Sequence, residues 1–431
     1  MFALLTATTL ALVPAVEIDY AADVAFALEQ LEAQCAPLIE SKGIDWKRVR
    51  KEFTRAAKDV EDDSQHLLLM TRLLARLRDG HARVENPTRV PWHEAVEYAY
   101  PGLTMCRIGK DVYVKSASGD AAGLGLVPGM ELTKIDGKSP LKWIEAEVER
   151  MSDLRSFSTD QHARFELMSY GPAMPVGTRL DLELKFEGKR KKRTLTYAKG
   201  RRFRAHPGFL PEGLTRTESD HHYGTLASGH GYIHLRRAPG DLPAELDVML
   251  AALGDVPGLV LDFRGNSGGG TDHAAVFGRF LPPGVTWQHG GSATYTSSGT
   301  RPFGGPLVVI VDGTVVSTGE TLSGQFKEDG RAYMIGESPT AGMSSQKTTV
   351  ELPSKLFSLY VSTRSNKGRF NGGRGIEGLG VEPHELVEYD PDDLVAQRDT
   401  LILRAVELLE EFPTNDVAYR PEQHGWTAPA R

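Results

Sequence analysis

The chain has 431 residues, 40% of them hydrophobic and 25% charged, the balance of an ordinary globular protein with length for two or three domains. A formal net charge of −7 argues against a general nucleic-acid binder. The two cysteines, Cys35 and Cys106, are too few for a disulfide framework and lack metal-site spacing.

Residues 1–15 are apolar and end in Val13-Pro14-Ala15, which reads as a signal peptide and implies export to a periplasm or the exterior. A first apolar element of a cytoplasmic protein is the alternative. No later run of about 18 apolar residues follows, so no stable membrane insertion is expected beyond it.

Residues 16–98 read as a helical domain. Val24, Leu28, Leu31 and Cys35 share one helical face, as do Leu67, Met70, Leu74 and Leu77, and Asp45 before Trp46 has the position of an N-cap. His81 follows Gly80 in a polar loop.

Residues 99–199 read as β-rich, with a short strand at Val112–Val114. The stretch Ala121 to Gly137 resembles the PDZ pattern, and Pro175 to Leu184 resembles a late PDZ strand. Residues 145–173 exceed a minimal module of that kind. The resemblance implies capture of an extended peptide at a sheet edge, with Gly102 and Leu103 as the loop that takes a terminal carboxylate. The run Lys189 to Arg193 reads as a solvated hairpin end.

Residues 200–396 alternate strands at 231–235, 258–263, 306–311 and 332–336 with helices near 272–280 and 319–328, an α/β arrangement. Residues 397–431 supply a last amphipathic helix and a tail. The glycine cluster Gly265 to Gly270 fits neither a phosphate loop nor a dinucleotide fingerprint. Ser317 stands where a strand hands over to a helix. That corner suits an N-cap first, and also a nucleophile surrounded by backbone N–H groups.

Leu261-Asp262-Phe263-Arg264-Gly265-Asn266-Ser267-Gly268-Gly269, Ser317 three residues before Glu320, and Thr340-Ala341-Gly342 together resemble the C-terminal processing peptidases, the tricorn-protease core and the retinoid-binding repeats. The resemblance implies a crotonase- or Clp-protease-like spiral of ββα units, with a helical region before it and a PDZ-like insert. It implies a serine peptidase acting on peptides or proteins without metal or organic cofactor.

Met343 stands where the processing branch carries its lysine, and Lys347 lies four residues on. The tricorn-like branch uses a histidine and a glutamate instead. Arg78-Asp79-Gly80-His81 resembles its histidine motif, with Gly80 for a serine. Gly375 to Pro383 resembles its glutamate motif, with Glu377 in place.

The resemblance therefore assigns Ser317 as nucleophile, His81 as base and Glu377 as its orienting acid. Thr318 with Gly268 or Gly269 forms the oxyanion hole, and Glu328 is a secondary candidate. An anion at Glu377 is expected to raise the pKa of His81. The competing reading is a catalytically silent binding protein on the same fold, favoured by Met343 and Gly80.

Overall fold

The computed structural model describes residues 18–92, 96–198, 209–288, 293–365 and 367–411. The leader read in residues 1–15 and the tail beyond residue 411 lie outside them.

A seven-stranded sheet has apolar runs such as Leu259–Leu261 and Leu307–Val311 at its centre. Gly231–His234, Leu259–Asp262, Leu307–Val311, Tyr333–Gly336 and Glu385–Leu386 run parallel, and His222–Thr225 and Thr215–Arg216 add an antiparallel edge. Ile233, Leu261 and Val309 point to one face, where helices Leu242–Leu253, His273–Gly278 and Thr318–Glu328 cover them. Tyr232, Val260, Val308 and Ile310 point to the other and meet Leu401, Ile402 and Ala405 of helix Thr400–Glu410. Burial on both faces explains why these strands read as continuous apolar runs. The chain is thus mixed α/β.

The Leu-Asp-Phe-Arg stretch has a structural task. Arg264, fully buried, donates to Asp262 Oδ2 at 2.6 Å and to Asp399 Oδ2 at 2.9 Å. Asp399 also caps helix Thr400–Glu410 through the amides of Leu401 and Ile402. One guanidinium, paired on both sides as a buried cation must be, ties the central strand to the last helix.

Helices Tyr20–Ser41, Trp46–Ala56 and Asp63–Ala75 pack on a hairpin from the far end of the chain, Ser345–Glu351 with Ser358–Ser365. Val24, Leu28, Met70 and Leu74 share a core with Leu356, Phe357, Leu359 and Val361. Asp45 caps the second helix through the Arg48 amide. After the third helix the chain forms strand Arg83–Glu85, a strand inside a region read as helical, and pairs antiparallel with Ser358–Tyr360. This pairing carries His81 to the central sheet.

A five-stranded antiparallel sheet lies between these parts in sequence, formed by Leu103–Ile108, Asp111–Ala117, Glu131–Ile135, Arg179–Phe186 and Lys189–Thr196. The basic run leaves the two-residue turn at Glu187-Gly188, both at positive φ, so it lies at a hairpin end with mostly exposed side chains, in a strand that runs on to Thr196. Helices Pro140–Ser152 and Asp160–Tyr170 account for the extra residues after the third strand. Cys106 packs into the outer core of the central sheet, and Lys115 bridges the two sheets to Glu337 at 3.0 Å. No helix among the described residues is long and apolar enough to cross a membrane.

Candidate functional site

Strand Leu307–Val311 ends in a turn, and Ser317 follows as the N-cap of helix Thr318–Glu328. Its φ of 56° and ψ of −124° are costly for a residue with a side chain. The surroundings hold it there. The Ser317 amide donates to Met343 O and to Glu320 Oε2, each at 3.0 Å. Glu320, wholly buried, also accepts from Thr340 Oγ1, Gly342 N and Met343 N at 2.6, 2.7 and 2.8 Å. Burial pushes its pKa up to about 8, against four donors that suit the carboxylate. With the amide served by Glu320, Ser317 Oγ is turned to His81 Nε2 at 3.2 Å.

His81 is 6% exposed. Its backbone amide donates to Asp79 Oδ1 at 3.0 Å, and Asp79 in turn accepts from Ser362 N and Ser362 Oγ. The ring's Nδ1 has no hydrogen-bond partner among the described residues and lies 3.9 Å from Asp79 Oδ1. A Glu377 oxygen shares this cluster, each residue offering one ligand-type atom within 4.8 Å of the others'. Glu377 is committed elsewhere: Oε1 accepts from Lys42 Nζ at 2.7 Å and Ser158 Oγ at 2.9 Å, and Oε2 from Ser344 N at 3.0 Å.

The expected upward push on His81 is not found. Burial dominates and lowers its pKa to about 4, with Asp79 the strongest opposing influence. The ring is therefore neutral at pH 7 and able to accept a proton.

The glycine cluster runs beside the nucleophile. A Cβ on Gly268 would lie 2.8 Å from Ser317 Cβ, so only glycine allows this approach. The Gly268 amide is already given to Asn266 Oδ1 at 2.9 Å, which leaves Gly269 of the two. The Thr318 amide, at the first position of its helix, has no partner within that helix.

Met343, at the lysine position, packs on Gly80: a Cβ there would lie 2.7 Å from Met343 Sδ and 3.1 Å from His162 Cε1. Lys347 is exposed on strand Ser345–Glu351. Glu328 is at the opposite end of the Ser317 helix, about 15 Å away at 1.5 Å per residue, and accepts from the Asn371 amide at 2.9 Å. That separation removes it from the site.

Gly102 and Leu103 are both buried, and Gly102 backs onto Ser118, so no open carboxylate loop exists there. Sequence reading passed over Asp79, Lys42 and Ser158. Asp79 alone carried a signal, as the acid two residues before His81.

Residues 229–387 match the family model described as Peptidase family S41, so the chain carries an S41 peptidase domain. A Chlamydia pneumoniae protein is 29% identical over 118 residues, 27% of this chain and 19% of that one. Tricorn protease of Thermoplasma acidophilum is 25% identical over 156 residues, 36% of this chain and 14% of that one. The chain thus spans under a fifth of the length of either relative. Among solved structures, mature CPAF complexed with lactacystin superposes with a TM-score of 0.67 at 14% identity, covering 91% of this chain and 98% of that one.

Proposed function

We propose that the chain is a serine peptidase. The observation that carries this is the 3.2 Å approach of His81 Nε2 to the hydroxyl of a strained Ser317. Neutral His81 takes the Ser317 proton as Oγ attacks the scissile carbonyl. The amides of Thr318 and Gly269 receive the oxyanion. Protonated His81 gives the proton to the leaving amine, and water then hydrolyses the acyl-enzyme with His81 again as base. The imidazolium formed in each half-reaction is backed by two carboxylates, Glu377 and Asp79, in a site of low dielectric. Glu377, anchored by Lys42, holds the wall behind the ring, while Asp79 faces Nδ1.

The five-stranded sheet with its helices is the PDZ-like unit in this reading. The family domain, together with the Ser317–His81 pair, favours hydrolysis over silent binding. Met343 removes the lysine base without opening the site, since it fills the cradle at Gly80.

The test is a fluorophosphonate label with hydrolysis of an unstructured peptide. Wild type should label at Ser317 and cut, and Ser317→Ala should do neither while unfolding at the same temperature. Full activity in the purified variant would remove Ser317 from the mechanism.

A further inference from the structure

The segment between the two helices of the β-rich unit reaches into the site. Ser156 Oγ accepts the Asp79 amide at 2.8 Å, and Ser158 Oγ accepts the Gly80 amide at 2.9 Å. Ser158 also donates its own proton to Glu377 Oε1 at 2.9 Å. Thr159 Oγ1 donates to Ala341 O at 2.8 Å, and Gln161 Nε2 to Leu379 O at 2.9 Å. One short stretch therefore touches the loop before His81, the loop that holds the Ser317 amide, and the loop of Glu377. Its helix, Asp160–Tyr170, roots it elsewhere: Leu167 and Met168 belong to the core of the five-stranded sheet.

Ser158 is the hinge point of these contacts. It is 3% exposed, and its hydroxyl uses an acceptor and its only donor at once. A single buried hydroxyl thereby fixes the distance between the backbone that carries His81 and the carboxylate behind it. Gly80, with its neighbours Met343 and His162 at contact, has no room to shift toward them.

Resting on the peptidase reading, we propose that Ser158 is a positioning residue, which completes the site by bridging the His81 loop to Glu377 from the β-rich unit. Removing the hydroxyl takes its partner from the half-buried Gly80 amide and one of three donors from the buried Glu377. The His81 loop then relaxes and water reaches the ring.

The experiment compares wild type, Ser158→Ala and Ser158→Thr as full chains. Ser158→Ala should lose about 10- to 100-fold in kcat/KM, mostly in kcat, as expected for an interaction that orients the reacting groups. Ser158→Thr, which keeps the hydroxyl, should recover most of it. The imidazole of His81 is also titrated by NMR, assigned by loss of its signal in His81→Gln. In Ser158→Ala its midpoint should move up from about 4 toward 6.5 as the ring is rehydrated. Should Ser158→Ala not fold, Ser158→Cys takes its place, with similar volume and a weaker donor. Unchanged kcat with an unchanged midpoint overturns the proposal. So does a loss of activity that follows the melting temperature while the midpoint stays put. A wild type that cuts no peptide condemns the peptidase reading, and the NMR midpoint then still judges Ser158.

Discussion

The burial of His81 sets the pH at which the site should work. A drop from the ordinary 6.5 to about 4 corresponds to roughly 3 kcal/mol against the charged ring. The kcat/KM profile reports the free enzyme, so its rising limb should be centred near 4. At pH 5 a ring of pKa about 4 is ~90% neutral, and one of 6.5 only ~3% neutral. The two cases differ about 30-fold in rate at that pH. An internally quenched peptide without ionisable side chains, assayed from pH 3.5 to 8, distinguishes them. Asp79→Asn removes the strongest influence that favours the charged ring, so it should lower both the midpoint and the rate. A wild-type midpoint at or above 6.5 would refute the reasoning, because it would mean that water reaches the ring or that a carboxylate outweighs burial.

Other outcomes follow from the same geometry. The low pKa of His81 also bears on stability. The unfolded ring binds a proton from about 6.5 downward and the folded ring only near 4, so stability is fully present above 6.5 and falls by about 3 kcal/mol as pH drops to 4. Chemical denaturation at several pH values should show a shallower slope in His81→Gln than in wild type by about that amount, the remainder coming from other buried histidines such as His162, His221, His234 and His384. Gly268→Ala should abolish hydrolysis, because its Cβ would meet Ser317 Cβ at 2.8 Å and its φ is +78°; Gly270→Ala, with open space around it, should be near wild type in the same assay. Glu320→Gln turns an NH2 toward backbone donors that now share two carboxylate oxygens, and should cost about 2–4 kcal/mol by thermal melting together with most activity. Lys347→Ala should keep wild-type kcat/KM, since an exposed lysine on that strand is not the base.

Much of the central sheet was legible because burial on both faces leaves runs such as Leu307–Val311 without a polar residue. The corner at Ser317 was legible for the same reason, as the point where that run gives way to a helix. His81 came only from its motif, since a histidine in a polar loop has no local signature. The strand Arg83–Glu85 that delivers it was missed, being three residues long and paired with a hairpin far along the chain. Lys42 reads as a surface residue after a helix, yet its head is buried against Glu377 and the Arg78 carbonyl. Lys189 to Arg193 was legible as a solvated hairpin end, but charge hid that the strand leaving the turn runs on to Thr196. Hydrogen bonds such as Ser158 to Glu377 leave no periodicity behind, so no pattern in one sequence could have announced them.

The pairing of Arg83–Glu85 with Ser358–Tyr360 has a consequence for how the chain is made. During synthesis His81 leaves the ribosome long before Ser317, and Glu377 later still. At ~5–20 residues per second the interval from His81 to Glu377 is roughly 15–60 s. Through that time the N-terminal helices lack the hairpin that covers Val24, Leu28 and Met70, so they form a sticky apolar surface that a holdase chaperone would bind. The same delay keeps nucleophile and base apart. A growing chain, and any fragment released before the hairpin is complete, is thus unable to cut itself or its neighbours.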